Sequence, residues 1–252
     1  MLLDREEASD VLSKKFPQIN ILTLPDIKEK ATVALQKKYP LLSDAFRWSL
    51  KPVLLEKLIE DLGITEALYC DNDIFFSSNF DFLFSDLKQH DILLFPHWRI
   101  NHPAIDKDWF ETNFKDGIFN GGCIGVNKNA MDFLRWWADC CAYKCEVDFA
   151  SGMYVDQKYL DIVPSIFPSS HAVQHKGCNV AYWNIRSLTR SAQNGKTLID
   201  NKYEVVFTHF TEDYLRVLKN GEDPLMKPYA DSYLQKLYDI KIAVNKYLFP
   251  AQ

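Results

Sequence analysis

Between residues 47 and 62 leucines recur at every fourth position (Leu50, Leu54, Leu58 and Leu62), which puts them on one face of a helix. Gly63 comes next, the residue type that helices favour just past their last turn. The run Ala67-Leu68-Tyr69-Cys70 is too short for a helix and reads as a buried strand. Asp91-Ile92-Leu93-Leu94-Phe95 reads the same way and is stopped by Pro96. Residues 118–127 are strand-like with a glycine-rich middle, and residues 130–143 form a helix with Phe133, Leu134, Trp137 and Cys141 on its inner side. A short helix is expected over 156–163, ended by Pro164, and a late strand over 205–208. Past Pro228, the positions Tyr229, Tyr233, Leu237, Ile240, Val244 and Leu248 mark a long amphipathic helix. Upstream, residues 19–24 are strand-like. Strands alternating with helices give the α/β class, with a body over 1–222 and a helical tail over 223–252 packed on it or projecting from it.

The chain's 252 residues are 47% apolar and 14% aromatic, enough to bury a sizeable core. A net charge of −5 without a basic run argues against a nucleic-acid partner. No stretch approaches the roughly 18 apolar residues of a membrane span. Asp4, Arg5, Glu6 and Glu7 follow Met1 too closely for a signal peptide. The six cysteines form no C-x-x-C pair and read as reduced, mostly buried thiols of a cytoplasmic protein. The aromatic-rich tail raises peripheral contact with the inner face of the membrane.

The candidate chemistry starts at Asp71-Asn72-Asp73, directly after the run 67–70. Side chains two apart on an extended chain point the same way, so the two carboxylates offer paired oxygens to a hard divalent cation. The competing reading is a turn, where Asp is common. A calcium loop of the EF-hand type is excluded, because Phe76 and Phe82 stand where glycine and glutamate are needed. Gly121, Gly122 and Gly125 interrupt an apolar strand, marking either a bulge or the close approach of a ligand, with Asn120 beside them. Asp156-Gln157 is either an ordinary helix start or a carboxylate and amide facing the reacting groups. His209 is the best nitrogen ligand and His175 its competitor. Lys176 and Arg186 either offset diphosphate charge or are surface residues. The segment from Asn179 to Asn184 mixes amides with Tyr182 and Trp183, a combination that suits a sugar or a core strand.

Taken in order over residues 45–210, these segments resemble the glycosyltransferases of the GT-A fold, in particular bacterial ones of cell-surface polysaccharide synthesis with a glycogenin-like pattern. The matching pieces include Lys51-Pro52, residues 68–74, Phe95-Pro96-His97, residues 117–127, Trp136-Trp137, residues 154–158, residues 179–184 with Arg186, and residues 206–210. The resemblance implies a mixed sheet flanked by helices. It implies Mn²⁺ or Mg²⁺ held by Asp71, Asp73 and His209 against the diphosphate of a nucleotide-sugar donor. It implies Asp156 and Gln157 at the reacting groups, and Lys51, Asn72, Asn120, Gly121, Asn179, Asn184 and Arg186 on the donor side. A hexose would pass to a glycan or lipid-linked acceptor.

Such proteins usually begin with a strand and helix whose connecting loop holds the base. Here residues 1–5 read as the end of a second strand, so the first strand–helix unit is expected to be absent. That would weaken nucleotide binding and leave a sheet edge open to a second copy. The alternative is a truncated or degenerate relative that binds sugar or nucleotide without turnover. A sugar nucleotidylyltransferase would need a glycine-rich phosphate loop near its start, yet residues 1–24 contain no glycine. A metal-dependent hydrolase would group more His and Asp ligands.

Overall fold

The computed structural model describes residues 2–3, 9–27, 30–41 and 43–248. The residues read above against a signal peptide, Asp4 to Glu7, lie outside this set, as do the side chains of Val244 and Leu248. Strand β1 (Leu2–Leu3) pairs in parallel with β2 (Leu22–Thr23) as a separate two-stranded sheet, with α1 (Ser9–Lys15) between them in sequence. Helix α2 (Lys30–Lys38) leads to α3 (Asp44–Glu60). The latter starts earlier than predicted, because the Ser43 side chain accepts the Phe46 N–H and caps it. Gly63 takes φ +66, the left-handed conformation that ends such helices. The buried face runs through Phe46, Leu50, Val53 and Ile59 rather than along the full leucine row. Leu54 and Leu58 are half-buried and Leu62, past the helix end, is exposed.

The central sheet has the order β3–β6–β5–β9, formed by Glu66–Cys70, Phe119–Asn127, Ile92–Pro96 and Ser170–Ala172. It is mixed: β3 and β5 flank β6 antiparallel, while β9 runs parallel to β5. Alternation along β5 decides the two faces. Ile92 and Leu94 point to a core built with α3 and with α6 (Met131–Tyr143), whereas Leu93 and Phe95 point to a second core with α4 (Asp81–Leu87). With both faces covered, β5 and β6 are buried throughout. Strand β3 was expected to be buried too, but all five of its residues are half-buried. Its other edge has no strand among the described residues, so it carries cover on one side only.

Strand β4 (Ile74–Phe76) turns away after β3 and pairs with β13 (Phe207–His209). Between lie α5 (Lys107–Lys115), the hairpin of β7 (Val147–Asp148) and β8 (Met153–Tyr154), and a meander of β10 (Arg190–Gln193), β11 (Lys196–Ile199) and β12 (Tyr203–Glu204). The short helix expected over 156–163 is a 3₁₀ stretch, Gln157–Ile162, continued by α7 (Val163–Ile166). Pro164 sits in the first turn of α7 and does not end the segment, since a helix start needs no proline N–H.

Helix α8 (Glu212–Lys219) and α9 (Lys227–Leu248) close the body. Met226, Ala230 and Tyr233 join a third core with Phe210 and Tyr214. Beyond that the expected apolar stripe fails: Leu237 and Ile240 are exposed. No helix among the described residues is long and apolar enough to cross a membrane.

Candidate active site

The site forms where β3 ends. Asp71 N–H donates to Gly122 O at 2.8 Å, which extends the β3–β6 ladder by one residue, and the chain then reverses through Asn72 into β4. The β4–β13 register sets His209 opposite Ile74, and Phe210 N–H donates to Asp73 O at 2.8 Å. Two residues from a turn and one from a strand 136 positions later thus converge. Ligand atoms of Asp71, Asp73 and His209 all lie within 4.8 Å of one another. His209 Nε2 is 2.9 Å from Asp73 Oδ1. Burial raises the Asp73 carboxyl, but His209 and Lys51 outweigh it and leave it below the usual carboxylate range.

The predicted break in β6 is a register shift. Ile124 pairs with Leu94, whereas the next pair is Asn120 with Phe95, so residues 121–123 bulge toward the cluster. A Cβ on Gly122 would come within 2.5 Å of His209 Cε1, 2.8 Å of Asn120 Oδ1 and 2.9 Å of Asp71 Oδ2. The missing side chain therefore keeps open the space between the candidate ligands. Asp73 Oδ1 is buried yet has no aligned hydrogen-bond partner among the described residues. Two carboxylates and an imidazole around a kept space suit a divalent cation such as Mg²⁺ or Mn²⁺.

Behind the cluster stands Lys51, a buried lysine on α3. Its Nζ donates to Gly121 O at 3.0 Å and lies 3.1 Å from Asp156 Oδ2 and 3.5 Å from Asp71 Oδ1. Burial alone would lower the lysine, but Asp156 and Asp71 more than offset it, and it stays protonated. Asp156 is pushed up by burial, pulled back by Lys51 and pushed again by Asp71. Tyr69, one turn of the strand before Asp71, donates its hydroxyl to Asp71 Oδ1 at 2.7 Å.

These groups border a cleft of about 300 Å³, into which Lys51, Asp71, Asn120, Gly121, Asp156, Gln157 and His209 all reach. Gln157 is spent on the backbone: Gly121 N–H donates to its Oε1 at 2.9 Å and its Nε2 donates to Asp116 O at 2.8 Å. It therefore braces the bulge.

Four residues assigned to the donor side are elsewhere. Asn179 and Asn184 are fully buried behind the wall. Their amides bond to Pro96 O, His97 O and Asn179 O, so they hold loops together instead of facing a ligand. Asn72 is exposed at the tip of the turn, since its neighbours on either side point inward. Arg186 pairs with Asp106 at 2.6 Å and lies over the Trp109 ring, away from the cluster. His175 packs between Phe82 and Tyr203, which leaves His209 as the candidate nitrogen ligand.

The sequence reading assigned no role to Arg99, Asp116 or Tyr154, which also line the cleft, together with Tyr182. They come from loops and short segments with no periodic pattern. The one available signal is Phe95-Pro96-His97, which places the following residues at a sheet end. His97 is buried, and burial followed by the charge of Arg99 holds its imidazole well below the ordinary value, so it is neutral.

No protein-family model matches the chain. It is 25% identical over 211 residues to the uncharacterized protein YfnF of Bacillus subtilis (strain 168), covering 82% of this chain and 69% of that protein. It is 29% identical over 169 residues to the uncharacterized protein YfnD of the same organism, spanning 65% of this chain and about half, 52%, of that protein. The crystal structure of mouse xyloside xylosyltransferase 1 in its apo form aligns with a TM-score of 0.51 at 13% identity, with 83% of each chain covered. The fold is thus shared with a xylosyltransferase.

Proposed function

We propose that this chain is a metal-dependent glycosyltransferase of the GT-A type, which moves a hexosyl group from a nucleotide-diphosphate sugar to a glycan or lipid-linked acceptor. The observation that carries this reading is the Asp71, Asp73 and His209 cluster around the space left by Gly122, at the floor of a cleft. The shared fold with a xylosyltransferase supports it.

In this reading the two carboxylates and the imidazole hold Mn²⁺ or Mg²⁺. A divalent cation supplies Lewis-acid charge that stabilises the departing diphosphate. Lys51 pairs with Asp71 and Asp156 and fixes the Gly121 carbonyl, so the floor is positioned before substrate arrives. Asp156, whose carboxylate lies beside Gly121 of the bulge, would face the reacting sugar. We place the protein in the cytoplasm, at the inner face of the membrane, with Leu237, Tyr238 and Ile240 exposed on α9 for that contact.

The test is a thermal-shift screen of nucleotide-sugars with and without Mn²⁺, followed by assay of nucleoside diphosphate release. One donor is expected to stabilise the protein only with metal, and Asp73→Ala to abolish both the shift and the release. A donor shift that ignores metal, or survives Asp73→Ala, overturns the assignment.

A further inference from the structure

Next to the cleft lies a smaller cavity of about 210 Å³ that the mechanism above does not use. It shares Arg99, Asp116, Tyr182 and Trp183 with the cleft, so the two spaces adjoin. Its outer wall is Trp109 on α5. That ring is held from several sides. Asp106 caps the helix by accepting the Trp109 N–H at 3.1 Å, and the Arg186 guanidinium lies 5.3 Å from the ring centroid. Arg186 is itself bound to Asp106 and does not line the cavity.

The rings meet edge to face: Trp109 and Tyr182 at 6.1 Å and 70°, Tyr182 and Trp183 at 5.2 Å and 67°. A corner of this kind offers ring faces to the C–H side of a pyranose, whereas a flat base is better served by parallel walls. The polar groups complete the match. Arg99 is tied to Gly117 O at 2.7 Å and to Asp116 Oδ2 at 3.0 Å, which leaves Asp116 Oδ1 without a hydrogen bond among the described residues. The Trp183 ring lines the cavity, but its indole N–H is buried out of it. A carboxylate oxygen beside aromatic faces is an acceptor that sugar hydroxyls can donate to. Arg99 is already neutralised by Asp116, and Asp108 adds a further carboxylate, so the cavity is hostile to phosphate.

We propose that this cavity is a saccharide subsite, the place where an uncharged acceptor glycan lies with one ring against Trp109. The inference rests on the glycosyltransferase reading for the word acceptor, but its binding test needs neither metal nor donor. Cellobiose, maltose, lactose and N,N′-diacetylchitobiose would be titrated into the full chain without metal or nucleotide, followed by saturation-transfer NMR and calorimetry. At least one is expected to saturate. Trp109→Ala is expected to weaken it by roughly tenfold, Trp109→Phe to regain most of the loss, and Asp73→Ala to leave it unchanged. The proposal is overturned if none of the four binds, if Trp109→Ala leaves affinity intact, or if free uridine displaces the sugar, which would make the cavity a base site. Saccharide binding without any metal-dependent donor binding would sink the transferase reading and leave the subsite standing. The reverse result would sink the subsite alone.

Discussion

The two ends of the cleft are held in different ways. At the charged end the candidate metal ligands and Lys51 come from a strand, a strand-end turn or a buried helix face: Asp71 and Asp73 from β3–β4, His209 from β13, Lys51 from α3. Their spacing is set by backbone registers. At the aromatic end Trp109 sits on α5, a helix with no fully buried residue, and is held to Tyr182 and Arg186 by side-chain contacts. The first end has little freedom to adjust, and its groups bear charges that cannot be left unpaired. The second rests on contacts between side chains rather than on backbone register. On the proposed function, the contrast fits a diphosphate and metal at one end and a sugar at the other.

The sharpest way to break this contrast is Lys51→Met. Asp156 is 1% exposed, and its lysine partner is what keeps a charge tolerable there. Removing one member of a buried pair costs about 3–5 kcal/mol. Denaturant unfolding is expected to show that loss, and the double variant Lys51→Met with Asp156→Leu to recover part of it. A wild-type midpoint for the single variant would mean that the charged end tolerates an unpaired charge.

Gly122→Ala comes next. The added methyl enters the space among His209, Asn120 and Asp71, and β6 is buried on both sides and has nowhere to retreat. Mn²⁺ affinity, read by electron paramagnetic resonance, is expected to fall by roughly 10–100-fold, with circular dichroism unchanged. Unaltered Mn²⁺ binding would mean that the cation, if held at all, sits elsewhere.

How far the sequence carried these conclusions follows the same divide. The charged end was legible because its signals are local: a carboxylate pair after an apolar run, and a histidine closing another. The glycines of β6 were legible as a bulge, since a strand interior otherwise avoids them. Asn179 and Asn184 were misread, because amides that bind a sugar and amides that tie loops together have the same letters. The leucine row of α3 and the stripe of α9 gave the helices correctly but not their buried faces. Which face is covered depends on neighbours distant in sequence. Arg99 and Asp116 went unseen because an ion pair 17 residues apart across a loop leaves no periodic trace.

The smallest expected effect, and the finest test of the contrast, is the response of the aromatic end to acid. Two carboxylates there are shifted in opposite directions. Asp106 is held below the ordinary 3.8 mainly by the Trp109 N–H it accepts and then by Arg186, so its contribution to stability is present above 3.8 and is lost as pH falls through its lowered value. Asp116 is raised above 3.8 by burial, against the pull of Arg99, Lys115 and Lys158. Its ionised form is therefore the costly one, and that cost disappears as pH falls through its raised value. On acidification Asp116 takes its proton first, while the cap on α5 still holds. Saccharide affinity is expected to drop in that first step, because Asp116 Oδ1 and the Arg99 pair are altered together, while tryptophan fluorescence stays constant. The fluorescence change follows only at lower pH, when Asp106 releases α5. Asp116→Asn should remove the first step and leave the second. Coincident steps in wild type would show that Trp109 is not held independently of the Arg99 and Asp116 pair, and the platform would then be part of one rigid wall with the charged end.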